Sequence, residues 1–378
     1  MRRKTKTLAA LWILSLACDS SPQKALPAKP AKQDLAAVKP GATPEPGPRA
    51  EPDRVREPGD DAHVPLPDSL VAVGIPPVPR AIAEAVGAYS EARSASVQGW
   101  HPRAHSLLIS TRFADTAQVH EVKQAGGARR QLTFFRDRVG GASYPPVGDG
   151  AYLVFSKDLG GNEFAQNWRL DRATGQITLL TDGASKNTLG PWSSAGKLLA
   201  YTSTRRTRKD TDLYLIDPAD PQSDRRVAEV EGGGWSPLDW SPDDQRLLAL
   251  NYVSVNESYL WSFDVATGEK TLLTEKTGAP VSWSGGAFTA DGKAVISTSD
   301  LDFDFKRLVR IDLADRKVAP LSAPEDWDVE DFAVTRDRKR LAAVINAGGL
   351  SRLQLHELPS GHEQVIGAEI PDGVIGGI

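Results

Sequence analysis

The chain has 378 residues, 40% apolar and 25% charged, with a net charge of −4. Residues 1–62 carry 11 basic and 8 acidic side chains, which leaves the remainder at a net −7. An acidic main body gives no electrostatic footing for nucleic acid, and the single cysteine, Cys18, excludes disulfides within the chain.

Arg2, Arg3, Lys4 and Lys6 precede an apolar run at residues 8–17. The run is too short to span a bilayer as a stable anchor, so residues 1–17 read as a signal peptide. Cys18 comes directly after it, an arrangement that resembles a bacterial lipoprotein signal in which the thiol receives diacylglycerol. Ser15-Leu16-Ala17 also fits ordinary signal peptidase. The expectation is export, with Cys18 as the lipidation site on the cell envelope, at the periplasmic side or outer membrane. Simple secretion is the alternative. Residues 18–62 are rich in Pro, Ala, Lys and Glu. They offer too little apolar surface to offset ordering entropy, and read as a disordered tether. At 63–95 an extended segment ends in Pro76-Pro77-Val78-Pro79. Ile82, Val86, Tyr89 and Ala92 then fall at helical spacing. They predict a short amphipathic helix packed on the domain that begins at residue 96.

From residue 96 to 378 a unit of about 46 residues recurs. Its third strand ends in an acid: Trp168-Arg169-Leu170-Asp171, Tyr214-Leu215-Ile216-Asp217, Trp261-Ser262-Phe263-Asp264, Val309-Arg310-Ile311-Asp312 and Leu355-His356-Glu357. Turns such as Ala173-Thr174-Gly175 and Ala266-Thr267-Gly268 come next, where the acid can accept turn amides and glycine can take positive φ. A fourth strand closes on Leu132-Thr133, Leu180-Thr181, Leu273-Thr274 or Leu321-Ser322. Each unit opens on an aromatic strand end and a tight turn, as in Trp192-Ser193-Ser194-Ala195-Gly196, Trp240-Ser241-Pro242-Asp243-Asp244 and Phe288-Thr289-Ala290-Asp291-Gly292. Trp100-His101-Pro102 and Val334-Thr335-Arg336-Asp337 are looser copies. Four short strands per unit, separated by turns, describe an all-β propeller of four-stranded blades. A sandwich needs no such constant period, and a helical solenoid needs 3.6-residue periodicity. Six blades are expected over 97–367, with the first strand of a seventh at Gly373-Val374-Ile375-Gly376-Gly377-Ile378.

The segments Phe155-Ser156-Lys157-Asp158-Leu159-Gly160-Gly161-Asn162-Glu163-Phe164, Lys209-Asp210-Thr211-Asp212-Leu213-Tyr214, Asn256-Glu257-Ser258-Tyr259-Leu260 and Asp300-Leu301-Asp302-Phe303-Asp304-Phe305 sit at matching places in successive blades. With the strand patterns, they resemble the N-terminal propeller of the prolyl oligopeptidase family of serine peptidases, in its acylaminoacyl-peptidase-like and dipeptidyl-peptidase-like branch. Blades of this kind are also similar to those of Tol-system propellers. The resemblance implies a propeller that gates short peptides into an α/β-hydrolase domain, with the chain stopping before that domain.

No catalytic residue is carried over. A nucleophile elbow needs Gly-x-Ser-x-Gly. Gly234-Trp235-Ser236-Pro237-Leu238 fails at its last position, and Pro237 removes an amide that an oxyanion hole needs. Glu163 is the candidate for holding a peptide's N-terminus, and capping of its own turn is the structural alternative. Asp300, Asp302 and Asp304 lack the glycine and twelfth-position acid of a calcium loop. His101 reads as a turn residue, and with His105 and His120 it lacks an organised ligand set. Ser194-Ala195-Gly196-Lys197 reads as a hairpin turn. Arg205, Arg206, Arg208 and Lys209 read as a solvated loop. No cofactor and no metal are expected. The sequence thus predicts an exported, lipid-anchored, non-catalytic propeller that meets a peptide or envelope protein on its face. The alternatives are a Tol-like binding module and the propeller subunit of a split peptidase with a separate hydrolase chain.

Overall fold

A computed structural model of the chain describes residues 62–276, 278–364, 366 and 370–378. The expected signal peptide, Cys18 and nearly all of the expected tether lie outside the described residues. Two compact units meet in sequence between Ala83 and Glu84. In the described part of the first, the chain folds back on itself. The Val64 N–H donates to the Val78 carbonyl at 2.9 Å and the Arg80 N–H to the Ala62 carbonyl at 2.7 Å. A helix, Arg80–Ser90, begins there and runs into the second unit, with no buried residue. Within the second unit Val86 and Tyr89 stay more than half exposed, and the Ser90 carbonyl at the helix end accepts an N–H from the Arg112 guanidinium of the first blade at 2.8 Å. One apolar residue per turn is too narrow a stripe to cover a sheet.

The second unit holds six four-stranded antiparallel sheets, each with its strands in chain order, arranged as the blades of a β-propeller ring. The blades span 95–131, 139–179, 187–228, 235–272, 283–320 and 329–364. Every blade shifts register between its first and second strands. Such bulges sharpen the twist that lets narrow sheets splay around an axis. Pro237 sits at one of them, where its missing N–H costs no regular ladder bond.

The repeated letters each have a physical task. The Thr hydroxyl of Leu-Thr accepts a third-strand amide: Thr133 from Val119 at 2.9 Å, Thr181 from Asn167 at 3.1 Å and Thr274 from Leu260 at 3.2 Å. The acid closing the third strand accepts turn amides, Asp171 from Thr174 at 2.9 Å and Asp264 from Thr267 at 2.7 Å. Those amides hold both carboxyls below the usual carboxylate range. Gly268 has φ +76°, and a β-carbon there would sit 2.2 Å from the Val227 carbonyl oxygen of the preceding blade. Positive φ and close approach both demand glycine.

Blades pack face to face. The middle strands Leu199–Ser203 and Ala294–Ser299 are buried at every position. A separate apolar core joins each successive pair of blades, from the first and second to the fifth and sixth. Among the described residues no such core joins the sixth blade to the first. The tryptophans that end three of the first strands show the consequence. Trp192 donates its indole N–H to Ser143 Oγ at 2.9 Å, and Trp240 donates to the Pro191 carbonyl at 3.0 Å. Each thus covers the blade before it. Trp100 holds the matching place in the first blade and is 66% exposed.

The strand expected at Gly373 to Ile378 is part of no sheet. The Ser351 N–H donates to the Gly373 carbonyl at 2.8 Å, the Ile375 N–H donates to Ser351 Oγ at 2.9 Å, and the Ile378 N–H reaches the Asp331 carboxylate. Ser351 pairs with Asn346, and Asp331 with Val344. The tail therefore crosses the face of blade 6 that points away from blade 5. A lone segment with three glycines has no second strand to pair with, and lies on the face instead.

If the first blade's outer flank is unmated, burial should separate two equivalent tryptophans. Trp240→Ala is expected to cost about 3–5 kcal/mol. Trp100→Ala should stay within about 0.5 kcal/mol of the parent. Urea denaturation of both variants measures this, and equal losses would mean that Trp100 is covered.

Candidate functional site

The first strands line the axis, and their turns into the second strands converge at one end of it. A cavity of about 340 Å³ opens there. Its wall takes Pro146 from blade 2, Trp192, Ser193 and Ser194 from blade 3, Leu238 and Asp239 from blade 4, Gly286 and Ala287 from blade 5, and Phe332, Val334, Thr335, Arg336 and Arg338 from blade 6.

In blades 3 to 6 the turn between the first and second strands takes one left-handed residue. Blades 3 and 5 supply Gly196 (φ +70°) and Gly292 (φ +64°), whereas blades 4 and 6 place Asp244 and Arg338 there, both at φ +56°. A side chain in this region costs about 1 kcal/mol, and both residues make contacts that offset it. The Asp244 carboxylate accepts the Ser194 and Ala195 amides of the neighbouring blade at 2.6 and 2.9 Å. The Arg338 guanidinium grips both oxygens of Asp239 at 2.6 and 3.1 Å, and donates to the Phe288 and Trp240 carbonyls at 2.8 and 2.9 Å. The Asp239 carboxylate also accepts the Phe288 amide at 2.7 Å. Two residues earlier, Arg336 Nη1 donates to the Pro146 carbonyl on the second blade at 2.5 Å. One turn of blade 6 is thus tied to blades 2, 4 and 5 across the axis.

Glu163 lies elsewhere. It sits in the loop between Tyr152–Lys157 and Gln166–Asp171, which in an antiparallel meander is the end opposite the cavity. It has φ +62° and is exposed. Asp158 and Asn162 cap the loop, accepting the Glu163 and Phe164 amides at 2.9 Å each. The Glu163 carboxylate makes no hydrogen bond or ion pair among the described residues.

The other sequence candidates take structural places. His101 Nδ1 accepts the Arg103 and Ala104 amides at 3.2 and 3.0 Å, which is a turn role. His120 is fully buried in blade 1, and burial lowers its pKa. His101, His105 and His120 do not converge, and no group of three potential metal ligands occurs among the described residues. Asp300 accepts the Ser282 amide at 2.8 Å, and Asp302 has φ +61°. Ser194 stands in the hairpin joining Asn187–Trp192 to Leu199–Ser203. The Gly234 to Pro237 stretch enters the strand Trp235–Trp240, with no strand-to-helix elbow.

In the basic run Arg208 and Lys209 are exposed, as expected of a solvated loop, whereas Arg205 and Arg206 are tied down. Arg205 pairs with Asp224 at 2.6 Å and lies 4.4 Å from the centre of the Tyr214 ring. Arg206 pairs at 2.7 Å with Asp212, which is fully buried. Those partners lie elsewhere in the same blade, and a buried carboxylate requires such a cation. The sequence reading also missed Asp239, Arg336 and Arg338. The available signal was a non-glycine residue at a turn position that is glycine in sister blades.

No family model matches the chain, and no curated protein matches it in sequence. Solved structures share its fold. A prolyl endopeptidase superposes with a TM-score of 0.60 at 14% identity, over 78% of this chain and 47% of that one. An oligogalacturonate lyase, solved in complex with manganese, gives 0.55 at 12%, over 71% and 77%. A putative TolB from Agrobacterium tumefaciens gives 0.45 at 16%, over 63% and 83%. At these identities the likeness to the endopeptidase and the lyase is one of fold. The chain spans about half the length of the endopeptidase chain.

Arg338 and Asp239 keep only 15% and 20% of their side chains exposed. Arg338→Ala or Asp239→Ala alone should destabilise by about 3 kcal/mol, because each leaves a partly buried charge unpaired. The double substitution should cost at least about 1 kcal/mol less than the two losses combined. Strict additivity in a denaturation cycle would show that the cross-axis pair does not form.

Proposed function

We propose that the chain is an exported, lipid-anchored propeller without catalytic activity of its own, which holds a peptide or protein partner at the ends of its axis. The observation that carries this reading is the cavity where turns of five blades converge, in a chain whose sequence has no nucleophile elbow. A mixed wall of apolar side chains, hydroxyls and guanidinium groups is the ordinary make-up of a ligand site. The fold shared with a prolyl endopeptidase supports a binding or gating role. Glu163 is a second contact point, at the opposite end, for a cationic group such as a peptide N-terminus. Export and anchoring rest on the basic start, the apolar run and Cys18.

The endopeptidase likeness favours a second reading, in which the propeller serves a hydrolase part. Coverage of 47% of that chain leaves room for one.

Two measurements on the chain expressed in a bacterial host test the proposal. A fluorophosphonate probe should leave the protein unlabelled, and a fatty-acid analogue should label the parent but not Cys18→Ser. Stoichiometric probe labelling with turnover of peptide substrates would overturn the non-catalytic reading. Equal fatty-acid labelling of both forms, or of neither, would overturn the anchor.

A further inference from the structure

We infer that the axial cavity is a receptor for the C-terminal carboxylate of a peptide whose last side chain is apolar, with Arg336 as the carboxylate-binding residue. The inference rests on the binding role proposed above, and names its ligand.

The two arginines of the blade 6 turn are differently occupied. All four terminal N–H groups of Arg338 are taken, and Asp239 neutralises its charge. Arg336 spends one N–H on a neutral carbonyl, that of Pro146. Among the described residues no carboxylate pairs with it. Asp337, its neighbour in sequence, is engaged by the Thr335 hydroxyl at 2.7 Å and the Lys339 amide at 3.1 Å. The cavity wall therefore carries one uncompensated positive charge, on an exposed side chain held in place at one end.

Charge and shape then select the ligand. A guanidinium offers two parallel N–H groups that match a carboxylate, and such charge-assisted pairs are stronger than neutral ones. The rest of the wall mixes hydroxyl groups with the partly buried apolar side chains of Trp192, Leu238, Phe332 and Val334. A bare phosphate satisfies the charge and leaves those side chains unused. An α-carboxylate brings its own side chain to within a few bonds of the charge, so one terminal residue fills both halves of the site. A volume of about 340 Å³ suits one or two residues and excludes a folded domain. An internal Asp or Glu carries the same charge without a terminal side chain beside it.

The test uses the full chain and N-terminally fluorescein-labelled pentapeptides ending in Phe, as free acid and as C-terminal amide, with inorganic phosphate as competitor. Anisotropy should show the acid binding at least tenfold more tightly than the amide. Arg336→Gln should remove that preference, and Arg336→Lys should restore part of it. A single cooperative thermal transition will show that the variants fold. Phosphate should compete only weakly. If the parent binds acid and amide equally, or if Arg336→Gln keeps the preference, the carboxylate role is overturned while peptide binding stands. If neither peptide binds the parent, the binding role of this cavity falls as well. Displacement of the acid by low phosphate would show a simple anion site and overturn the inference.

Discussion

A blade of this protein is a narrow sheet that is apolar on both faces, and it cannot stay in water unless something lies on each side. That constraint orders the rest of the structure. It explains why middle strands are buried at every position, and why each successive pair of blades has its own core. It also explains why the first-strand tryptophans reach backward onto the preceding blade. The hydrophobic contribution per buried aromatic is several kcal/mol in such cores. Among the described residues the rule is satisfied around most of the ring and stops between the sixth blade and the first. There Trp100 and Val97 stand 66% and 65% exposed. The face of blade 6 is crossed by the segment that reaches Ile378.

A ring with an unsealed flank needs another tie, and the turn between the first two strands of blade 6 supplies one. Arg338 and Arg336 reach blades 4, 5 and 2 through side chains rather than through packed sheet faces. Charge-assisted hydrogen bonds are directional, so this brace sets the positions of the turns that wall the cavity. Stability and recognition thereby share one short segment. The arginine that is fully paired holds the architecture, and the arginine beside it keeps a charge for a ligand.

The fold was legible because it is repeated. Leu-Thr, the strand-ending acid and the turn glycine recur at a constant period, and each proves to be a local device: a hydroxyl capping a strand amide, a carboxylate gathering turn amides, a glycine under a neighbouring carbonyl. Local devices leave local letters. The site was not legible, because its residues act between blades. Asp239 and Arg338 are far apart in sequence, and no spacing rule brings them together. Arg205 and Arg206 looked like a solvated run because Asp224 and Asp212, which fix them, belong to other strands. The strand expected at Gly373 to Ile378 failed for a related reason. A strand needs a partner strand, and the segment found a blade face instead. The tie between blade 6 and the axis was nonetheless marked in the sequence, where Arg338 replaces the glycine of sister turns.

The central claim is that stability is graded around the ring, lowest at the flank between the first and sixth blades and highest in the middle blades. Native-state hydrogen exchange, read by mass spectrometry on peptides from each blade, tests it most directly. Amides of Leu199–Ser203 and Arg246–Ser254 should exchange only through global unfolding, with a denaturant dependence equal to that of the whole domain. Amides of Ala95–Trp100 and Leu350–Glu357 should exchange through smaller openings with little denaturant dependence. Uniform protection and one common denaturant slope around all six blades would contradict the account, because they would require the sixth blade and the first to be mated like the others.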